Sequence, residues 1–542
     1  MLDHVVSEIS GAIQVQPMNS EASRIWILPA EMGRHLSVAM RWSLLAGLVF
    51  LVGIFYVFTY NSGYGYDALE YLVIGRAVSN GAPFYSLIPS KSPGIYYLIA
   101  ALFSLGMPRS HAAISAVIAL FFAATLVSTW LVTRHLFGYR VAVVATLLVG
   151  ACAVFMEMNF LEPESLVFLC GLAAFALVLR SLRTNTSLSL FVAGVFLAAG
   201  FQFKSVAAFY CLGIVGFLVF RLLRLHLGLV ELLRQGAALS VGFLFGCSVP
   251  FLFFAAVGKA ADFWLWTIKF PLFYYPANTD WLDKLFTKLL WFHLLLIASI
   301  ICSLFVRDRR TVWKNDAATL AFFLGLASYL ALLKTQASHY CFPGAAFFSI
   351  FISFAWVSGV TTAKRVLPHP KMVAAALAGG LILIAASAFF YQPGVLLRFF
   401  AWRDFHQEEM IGARIRDQIG PGQKGFFIGN STFLYWVTGV EPASRFIHFD
   451  VQTTYFVKSN PDVMLNALND ESTQVVTFNP AEPGFEDARF GDFMTQSGLM
   501  PRFTQLLQEK FRPLDPEADP LKVWVRKNMS REILQPRVGA SR

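Results

Sequence analysis

Long apolar stretches, separated by short polar connections, occupy most of the chain up to residue 391. The first stretch, 41–60, has about the 20 residues that a helix needs to cross the hydrocarbon core of a bilayer. Eleven more stretches follow, several of them short for a crossing: 93–108, 110–133, 140–156, 164–180, 188–203, 206–222, 236–256, 288–305, 317–333, 342–360 and 372–391. The pattern predicts a mainly α-helical protein that crosses a membrane many times.

Basic residues gather in alternate connections between these stretches. The clusters are Arg134 to Arg140, Arg180 to Arg183, Arg221 to Arg234, Arg307 to Lys314 and Lys364 to Lys371. Because Lys and Arg are enriched in cytoplasmic loops, each cluster is expected inside and the remaining connections outside. The outward connections are then 61–92, 157–163, 204–205, 257–287 and 334–341.

The alternation allows one net crossing between residues 93 and 133, although hydropathy alone would allow two. Residues that break helices bound the first of these stretches: Pro93, Gly94, Gly106 and Pro108. We therefore expect 93–107 to be interfacial, re-entrant or half of a broken span. The resulting prediction is about eleven crossings, with the N-terminal segment 1–40 in the cytoplasm and the transmembrane domain at 41–391.

The two ends of the chain differ from this pattern. Residues 1–40 lack the basic start, apolar core and small-residue cleavage site of a signal peptide, so the first apolar stretch is expected to remain as an anchor. In the charged segment 392–542, residues 425–429 and 474–478 resemble short buried strands, and 462–468 has helical spacing. We expect a small α/β domain on the outer, periplasmic side, acting as a lid or scaffold.

The outward connection 257–287 is unusually aromatic. It contains Trp264, Trp266, Phe270 and Tyr274, among others. Such density is typical of a helix that lies on the membrane surface. Two interpretations stay open, a contact with a lipid substrate and an ordinary aromatic anchor.

Composition supports a membrane protein and narrows its partners. Hydrophobic residues make up 56% of the chain and charged residues only 14%, whereas soluble domains carry about 25% charged residues. The net charge of +10 is spread over short clusters, which indicates anionic lipid and not nucleic acid. The six cysteines lie in or beside apolar stretches without C-x-x-C spacing, so neither a metal site nor a disulfide framework is predicted.

Charged residues that lie near an apolar stretch but outside the basic clusters fall almost entirely on the outward side: Asp67, Glu70, Lys91, Glu157, Glu162, Glu164, Lys204, Lys334 and His339. Ionisable groups at the depth of a membrane are unfavourable and usually mark a substrate path or a paired site. The sequence therefore predicts one outward-facing site.

The first acids of this set, Asp67 and Glu70, lie three residues apart and would share a helical face. A carboxylate there could accept the proton of an acceptor hydroxyl or amine; the alternative is that both are interfacial charges facing water. Lys91 could hold a phosphate as a point charge, or it could extend its ammonium group from the membrane boundary into water.

The later outward turns carry further candidates. Glu157, Asn159, Glu162 and Glu164 lie together at the outer end of two apolar stretches. Their carboxylates could bind a hard cation, although no fixed ligand spacing supports this and a solvated acidic loop is the alternative. Lys204, in a two-residue turn between apolar stretches, needs an anionic partner. The turn at 334–341 offers hydrogen-bond donors, including His339 and Tyr340.

The order of these features resembles the GT-C glycosyltransferases. The shared features are an acid after the first span, Lys91-Ser92-Pro93, Leu161-Glu162-Pro163, the Gly200 to Lys204 turn, and His339-Tyr340 before Pro343. The chain is most similar to bacterial relatives of the dolichyl-phosphate-mannose protein mannosyltransferases, which include the lipid A aminoarabinose transferase. The resemblance spans 41 to about 391 and extends to Gly429, Tyr435 and Pro442 to Arg445 in the C-terminal segment.

This resemblance implies an inverting transfer of a hexose or pentose from a polyprenyl phosphate carrier to an envelope acceptor, on the periplasmic face of a bacterial inner membrane. It implies that Asp67 is the base or positions the acceptor, and that Lys91, Lys204, Tyr340 and His339 hold the carrier phosphate. Glu162 and Glu157 would lie on the acceptor side. The acceptor class stays open among lipid A, lipopolysaccharide core, another glycan and protein.

The chain departs from the family pattern at two places. Where the family often has adjacent Asp-Glu, this chain has Asp67-Ala68 with its glutamate at Glu70, so either acid could be the base. Lys-Ser-Pro replaces the usual Lys-Pro-Pro at Lys91. The sequence indicates no required cofactor, and a divalent cation stays an open alternative.

Two alternatives to an enzyme belong to other functional classes. A flippase or transporter of lipid-linked sugars would place polar groups near the bilayer midplane and often has repeated halves, whereas these charges gather at one rim. An envelope scaffold that keeps only the fold would not need Asp67, Lys91 and Lys204.

Overall fold

The structure is a computed structural model. It describes residues 38–275, 290–305, 310–333, 338–366, 412–413, 415–416, 423–428, 431–449, 451–479, 488–514 and 523–528. The predictions for 1–37, for the last apolar stretch 372–391 and for Lys334 lie outside these residues.

Helices form most of the part of the chain that precedes residue 367. In chain order they are α1 Val38–Ser62, α2 Tyr66–Ser79, α3 Pro93–Ser104, α4 His111–Phe137, α5 Tyr139–Phe155, α6 Glu164–Thr184, α7 Ser187–Phe203, α8 Phe209–Leu225, α9 Leu229–Ala256, α10 Ala260–Phe263, α11 Leu290–Phe305, α12 Arg310–Lys314, α13 Asp316–Ser328 and α14 Phe342–Val366. A π-helix, Trp264–Tyr274, continues α10, and short 3₁₀ turns lie at Ser205–Ala208, Tyr329–Leu333 and Ser338–Cys341.

Seven of the described helical segments are long and apolar enough to cross a membrane, and α3, α5, α7 and α11 contain shorter apolar segments. The mainly helical, multi-pass architecture is therefore confirmed, while the number of eleven crossings stays a prediction. Helix α3 has 12 residues, or about 18 Å, which is shorter than the roughly 30 Å hydrocarbon core. This length agrees with an interfacial segment and excludes a complete crossing by α3.

Close backbone contact fixes the packing of α7 against α9. A Cβ atom at Gly194 would lie 2.2 Å from the carbonyl oxygen of Leu239, and one at Gly242 would lie 2.0 Å from that of Phe191. Small residues at such crossings let helices in membranes approach closely. The packing holds the end of α7, where Lys204 follows, in a fixed position.

The described residues of the basic connections gather at one end of the bundle. There, Asp316 at the start of α13 is bound by two arginines of α8, with Arg221 Nε 3.2 Å from Asp316 Oδ2 and Arg224 bonded to Oδ1. Arg224 also donates to the carbonyl of Trp313. The candidate site residues lie at the opposite ends of these helices.

The C-terminal segment forms the expected small α/β domain. Its elements are β1 Lys424–Phe427, α15 Ser431–Thr438, β2 Glu441–Pro442, α16 Val451–Ser459, α17 Asp462–Asn469, β3 Thr473–Thr477, α18 Ala488–Gln496, α19 Leu499–Lys510, β4 Phe511–Pro513 and β5 Val523–Arg526. The sheet order is β2-β1-β3-β5-β4, with β1 parallel to both its neighbours and β5 antiparallel to β3 and β4. The strands and helix predicted near 425, 474 and 462 are confirmed with small shifts.

This domain packs directly against α2 and the loop that follows it. The Arg76 guanidinium donates to the carbonyls of Tyr435 at 3.0 Å and Trp436 at 3.3 Å, near the end of α15. The Ile88 backbone N–H donates to the carbonyl of Arg445 at 2.6 Å. The domain thus fixes the segment 80–92, which carries Lys91.

Part of the aromatic connection forms the π-helix Trp264–Tyr274. Trp266 and Phe270 are buried, and the Phe270 ring lies 5.4 Å from that of Tyr455 in α16. These rings pack between the two domains, so one face of the π-helix is buried in the protein. The position of this segment at the membrane surface stays a prediction. Phe273 stays 73% exposed, and residues 276–287 lie outside the described part.

Candidate active site

The predicted site residues come from six places in the chain and meet at one end of the bundle. They are Asp67 in the first turn of α2, Lys91 before α3, Glu157 and Glu162 between α5 and α6, Glu164 at the start of α6, Lys204 after α7, and His339 with Tyr340 before α14. Alternation of helix direction brings these ends together, although the residues are up to 273 positions apart in sequence.

Asp67 and Lys91 form an ion pair. Lys91 Nζ lies 3.0 Å from Asp67 Oδ2, with the side chains 11% and 24% exposed, and the Tyr71 hydroxyl lies 3.4 Å from the same oxygen. Burial opposes ionisation of Asp67, but Lys91 and, less strongly, His339 and Lys204 outweigh it and lower the pKa of the carboxyl. Asp67 is therefore an anion at neutral pH.

Lys204 and Glu164 form a second pair that is almost fully buried. Their side chains are 3% and 0% exposed and in direct contact, and Lys204 Nζ lies 3.5 Å from the centroid of the Tyr340 ring. A cation over an aromatic face gains electrostatic stabilisation, more so when water is excluded. The anionic partner that the sequence required for Lys204 is thus supplied by the protein itself.

His339 lies between three glutamates. Its Nδ1 is 3.8 Å from Glu157 Oε2, and its Nε2 is 3.7 Å from Glu162 Oε2 and also 3.7 Å from Glu164 Oε1. These distances are beyond hydrogen-bond length, so the interaction is electrostatic. The expected alternative of a solvated acidic loop is wrong for Glu162 and Glu164, which are 5% and 0% exposed.

Glu162 holds its proton more strongly than an ordinary glutamate. Burial raises the pKa of this carboxyl to about 8, although His339 opposes the shift. Its Oε2 atom is buried and makes no hydrogen bond to the described residues. Glu162 therefore presents a mostly neutral carboxyl group to the pocket at pH 7.

Asp67, Glu162 and His339 could together hold a metal ion. One ligand atom from each residue lies within 4.8 Å of the others, and carboxylate and imidazole groups suit several divalent cations. The sequence placed the candidate cation ligands on 157–164 alone. It did not anticipate that Asp67 and His339 would join Glu162 across the pocket.

Glu70 lies in different surroundings from Asp67. Its fully buried carboxylate accepts hydrogen bonds from the Ser90 backbone N–H at 2.7 Å, from the Ser90 hydroxyl and from the Tyr96 hydroxyl. His448 Nδ1, from the C-terminal domain, lies 3.5 Å from Glu70 Oε2. Both oxygens of Glu70 are thus engaged in holding the loop beside Lys91.

Comparison with known proteins agrees with this architecture. Residues 90–245 match the family model of the dolichyl-phosphate-mannose-protein mannosyltransferases. The whole structure is similar to ArnT from Cupriavidus metallidurans bound to undecaprenyl phosphate, with a TM-score of 0.60, 15% identity, and coverage of 92% of this chain and 100% of that chain. The apo state of the same ArnT gives a TM-score of 0.61 at 14% identity, with the same coverage. The structure therefore has an ArnT-like GT-C fold.

No curated protein sequence matches the chain. The GT-C resemblance inferred from scattered polar residues is confirmed by the fold. The matched family region, 90–245, contains Lys91, Glu157, Glu162 and Lys204, whereas Asp67, His339 and Tyr340 lie outside it.

Several residues of this site escaped the sequence prediction. The sequence does not distinguish Glu164 from the neighbouring acids, because its pairing with Lys204 depends on the packing of α6 beside α7. Tyr71 and Tyr96 carry no local signal, because tyrosines are common at membrane boundaries. Asn159 is buried, and its side-chain amide makes no hydrogen bond to the described residues. The sequence already groups Asn159 with Glu157, Glu162 and Glu164, but it does not predict that the amide is buried.

Proposed function

We propose that this protein is an integral-membrane glycosyltransferase that moves a sugar from a polyprenyl phosphate carrier to an acceptor at the membrane surface. The observation that carries the proposal is the convergence of one ionised acid, Asp67, with the cations Lys91 and Lys204 in a single, largely buried cluster. Such a cluster offers a base for an acceptor and positive charge for a leaving phosphate. The likeness to ArnT, whose structure holds undecaprenyl phosphate, supports a lipid phosphate as donor.

The cations of the pocket stabilise the carrier phosphate as it leaves. Lys91 and Lys204 donate to its oxygens, the Tyr340 hydroxyl adds a neutral donor, and His339 supports them when protonated. Preformed positive groups act most strongly where negative charge develops in a site that excludes water. Because each lysine already has a carboxylate partner, the phosphate binds by sharing these cations with Asp67 and Glu164.

Asp67 takes the proton of the acceptor. The acceptor oxygen or nitrogen forms a bond to the anomeric carbon, its proton passes to an Asp67 oxygen, and the bond from that carbon to the carrier phosphate oxygen breaks with its electron pair. The single displacement inverts the configuration of the sugar. Glu70 is unsuited to this role since both its oxygens accept bonds from Ser90 and Tyr96; it positions the loop that carries Lys91.

Glu162 and Glu157 lie on the acceptor side of the pocket in this proposal. The neutral carboxyl of Glu162 donates a hydrogen bond to the acceptor or sugar, and the more exposed Glu157 orients His339. The reaction takes place on the periplasmic face of a bacterial inner membrane, where the C-terminal domain covers the site. The acceptor belongs to the envelope: lipid A, lipopolysaccharide core, another glycan or protein.

Transfer in proteoliposomes tests the proposal. A panel of labelled polyprenyl phosphate hexoses and pentoses is offered with lipid A, core and protein fractions, and wild type is compared with Asp67→Asn. We expect transfer by wild type and a loss of about 100- to 10,000-fold in Asp67→Asn, the usual contribution of general acid–base catalysis. Asp492→Asn, at an exposed position of α18, is the matched control.

Two results would contradict the proposal. Equal transfer by wild type and Asp67→Asn would remove Asp67 from the reaction. Movement of labelled carrier lipid across the bilayer, without transfer to any acceptor, would favour a flippase instead.

A further inference from the structure

Three arginines meet where the C-terminal domain joins the membrane helices, away from the candidate active site. Arg76 comes from the last turn of α2, Arg109 from the loop between α3 and α4, and Arg416 from the segment that precedes β1. A Cβ atom built at Gly439 would lie 3.5 Å from Arg76 Nη1 and 3.8 Å from Arg109 Nη1. The two guanidinium groups are therefore close neighbours.

Carbonyl groups at the end of α15 compensate only part of this charge. Arg416 donates to the carbonyls of Thr438 at 3.3 Å and Val437, while Arg76 donates to Tyr435 and Trp436. Arg109 makes no hydrogen bond to the described part of the chain, and no described carboxylate forms an ion pair with any of the three arginines. Guanidinium groups that lie this close without a carboxylate favour an anion between them.

The electrostatics agree with the geometry. Burial, followed by repulsion from Arg109 and Arg416, lowers the pKa of Arg76 to about 10. Arg76 stays charged at neutral pH, and Arg109 and Arg416 are both exposed at the surface. A ligand can therefore reach the cluster from outside.

The residues around the three arginines are of the types found at the boundary between membrane and water. The Tyr64 ring lies 4.5 Å from the His111 ring and 6.4 Å from that of Trp436, an aromatic group of the kind found at headgroup level. Leu105, four residues before Arg109, is 85% exposed. A ligand here would meet positive charge on one side and apolar surface on the other.

We propose that Arg76, Arg109 and Arg416 bind the phosphate of an anionic membrane lipid whose acyl chains lie beside Leu105. Guanidinium groups bind phosphate oxygens in pairs, and anionic headgroups attract basic residues at the membrane surface. The lipid acts as a bridge between α2, the α3–α4 loop and the C-terminal domain.

The lipid site is separate from the sugar-transfer site. Arg76 and Asp67 are nine residues apart on α2, about 13 Å along the helix axis. The proposal does not depend on the proposed enzyme activity, because its readout is lipid binding.

Native mass spectrometry of the purified full-length protein tests the site. Delipidated protein in detergent is titrated with phosphatidylglycerol or with zwitterionic phosphatidylcholine of the same chain length. We expect tighter binding of phosphatidylglycerol, and a loss of about fivefold in that affinity for Arg109→Gln. Arg502→Gln removes the same charge at an exposed position of α19 and should leave the affinity unchanged.

Because Arg109 is exposed, we expect Arg109→Gln to fold normally, and its unfolding temperature without lipid is measured to verify this. Equal binding of the two lipids, or an equal effect of Arg109→Gln and Arg502→Gln, would overturn the proposal. A third arm adds inorganic phosphate as a competitor. Complete displacement of phosphatidylglycerol by phosphate at millimolar concentration would identify a site for the free anion and overturn the assignment to lipid.

Discussion

Asp67 and Glu70 lie three residues apart on α2, yet their surroundings differ in how far buried polar atoms find hydrogen-bond partners. Glu70 is surrounded by donors that saturate its two oxygens. In the Asp67 pocket, buried polar atoms such as Glu162 Oε2, Glu164 Oε2 and His339 Nε2 make no hydrogen bond to the described residues. Buried polar atoms in proteins are nearly always bonded, so a cluster of exceptions indicates a place for a ligand.

The contrast separates two uses of buried charge in one protein. The Glu70 network holds the Ser90–Lys91 backbone, and the C-terminal domain adds a bond from Gln452 Nε2 to the Ser90 carbonyl at 3.3 Å. The Asp67 pocket instead holds charged groups close together, and some of their buried polar atoms make no hydrogen bond to the described residues. Substitutions in the network should therefore affect stability first, and those in the pocket should affect transfer first.

Among substitutions that test this difference, we expect the largest loss of transfer and stability at Lys204. Lys204→Met removes a phosphate donor and leaves Glu164 buried without its partner. We expect transfer to fall more than about 100-fold and the free energy of unfolding to fall by about 3–5 kcal/mol. Initial rates in proteoliposomes and thermal unfolding in detergent measure the two effects.

A double variant separates the two losses at Lys204. Lys204→Met with Glu164→Gln removes the unpaired charge, so it should regain most of the stability but none of the activity. Recovery of transfer in the double variant would show that Lys204 only neutralises Glu164. Lys204 would then have no role toward a phosphate.

Glu70→Gln should have a smaller effect, and it should act mainly through stability. The amide keeps one acceptor oxygen but turns an N–H₂ group toward donors, so we expect about 1–3 kcal/mol less stability. Displacement of Lys91 should lower transfer by about tenfold without changing its pH dependence. Glu471→Gln, at an exposed position, is the control for stability. A loss of transfer as large as that of Asp67→Asn, with unchanged stability, would make Glu70 the base.

The sequence predicts the fold and the side of the site more fully than the contacts within it. Apolar stretches and basic connections define helices and their direction, and direction alone brings Asp67, Lys91, Lys204 and His339 to one end. Which acid pairs with which lysine depends on packing between distant helices, such as α7 against α9 through Gly194 and Gly242. From their spacing alone, Asp67 and Glu70 are equivalent candidates for the base. They differ because Ser90 and Tyr96 donate hydrogen bonds to Glu70, and no local sequence pattern predicts these contacts.

The pH dependence of transfer tests the protonation state of Glu162. Since burial raises the pKa of this carboxyl to about 8, it is neutral below that pH and gains a negative charge above it. The added charge repels the carrier phosphate, so kcat/KM should fall several-fold as the pH rises through about 8. The Glu162→Gln variant should lack this fall. If the fall persists in Glu162→Gln and disappears in His339→Gln, the titrating group is the imidazole.

Removal of divalent cations should have the smallest effect. Asp67 is already paired with Lys91 at 3.0 Å, and Glu162 keeps its proton below about pH 8, so two of the three candidate ligands would have to give up a partner or a proton to bind a cation. We therefore expect a chelator to change the initial rate of transfer by less than about twofold, because the lysines supply the positive charge that the leaving phosphate needs. A large loss that Mg²⁺ or Mn²⁺ restores would place a cation between Asp67, Glu162 and His339. Glu162 would then be ionised in the active enzyme, and the fall in rate above pH 8 should be absent as well.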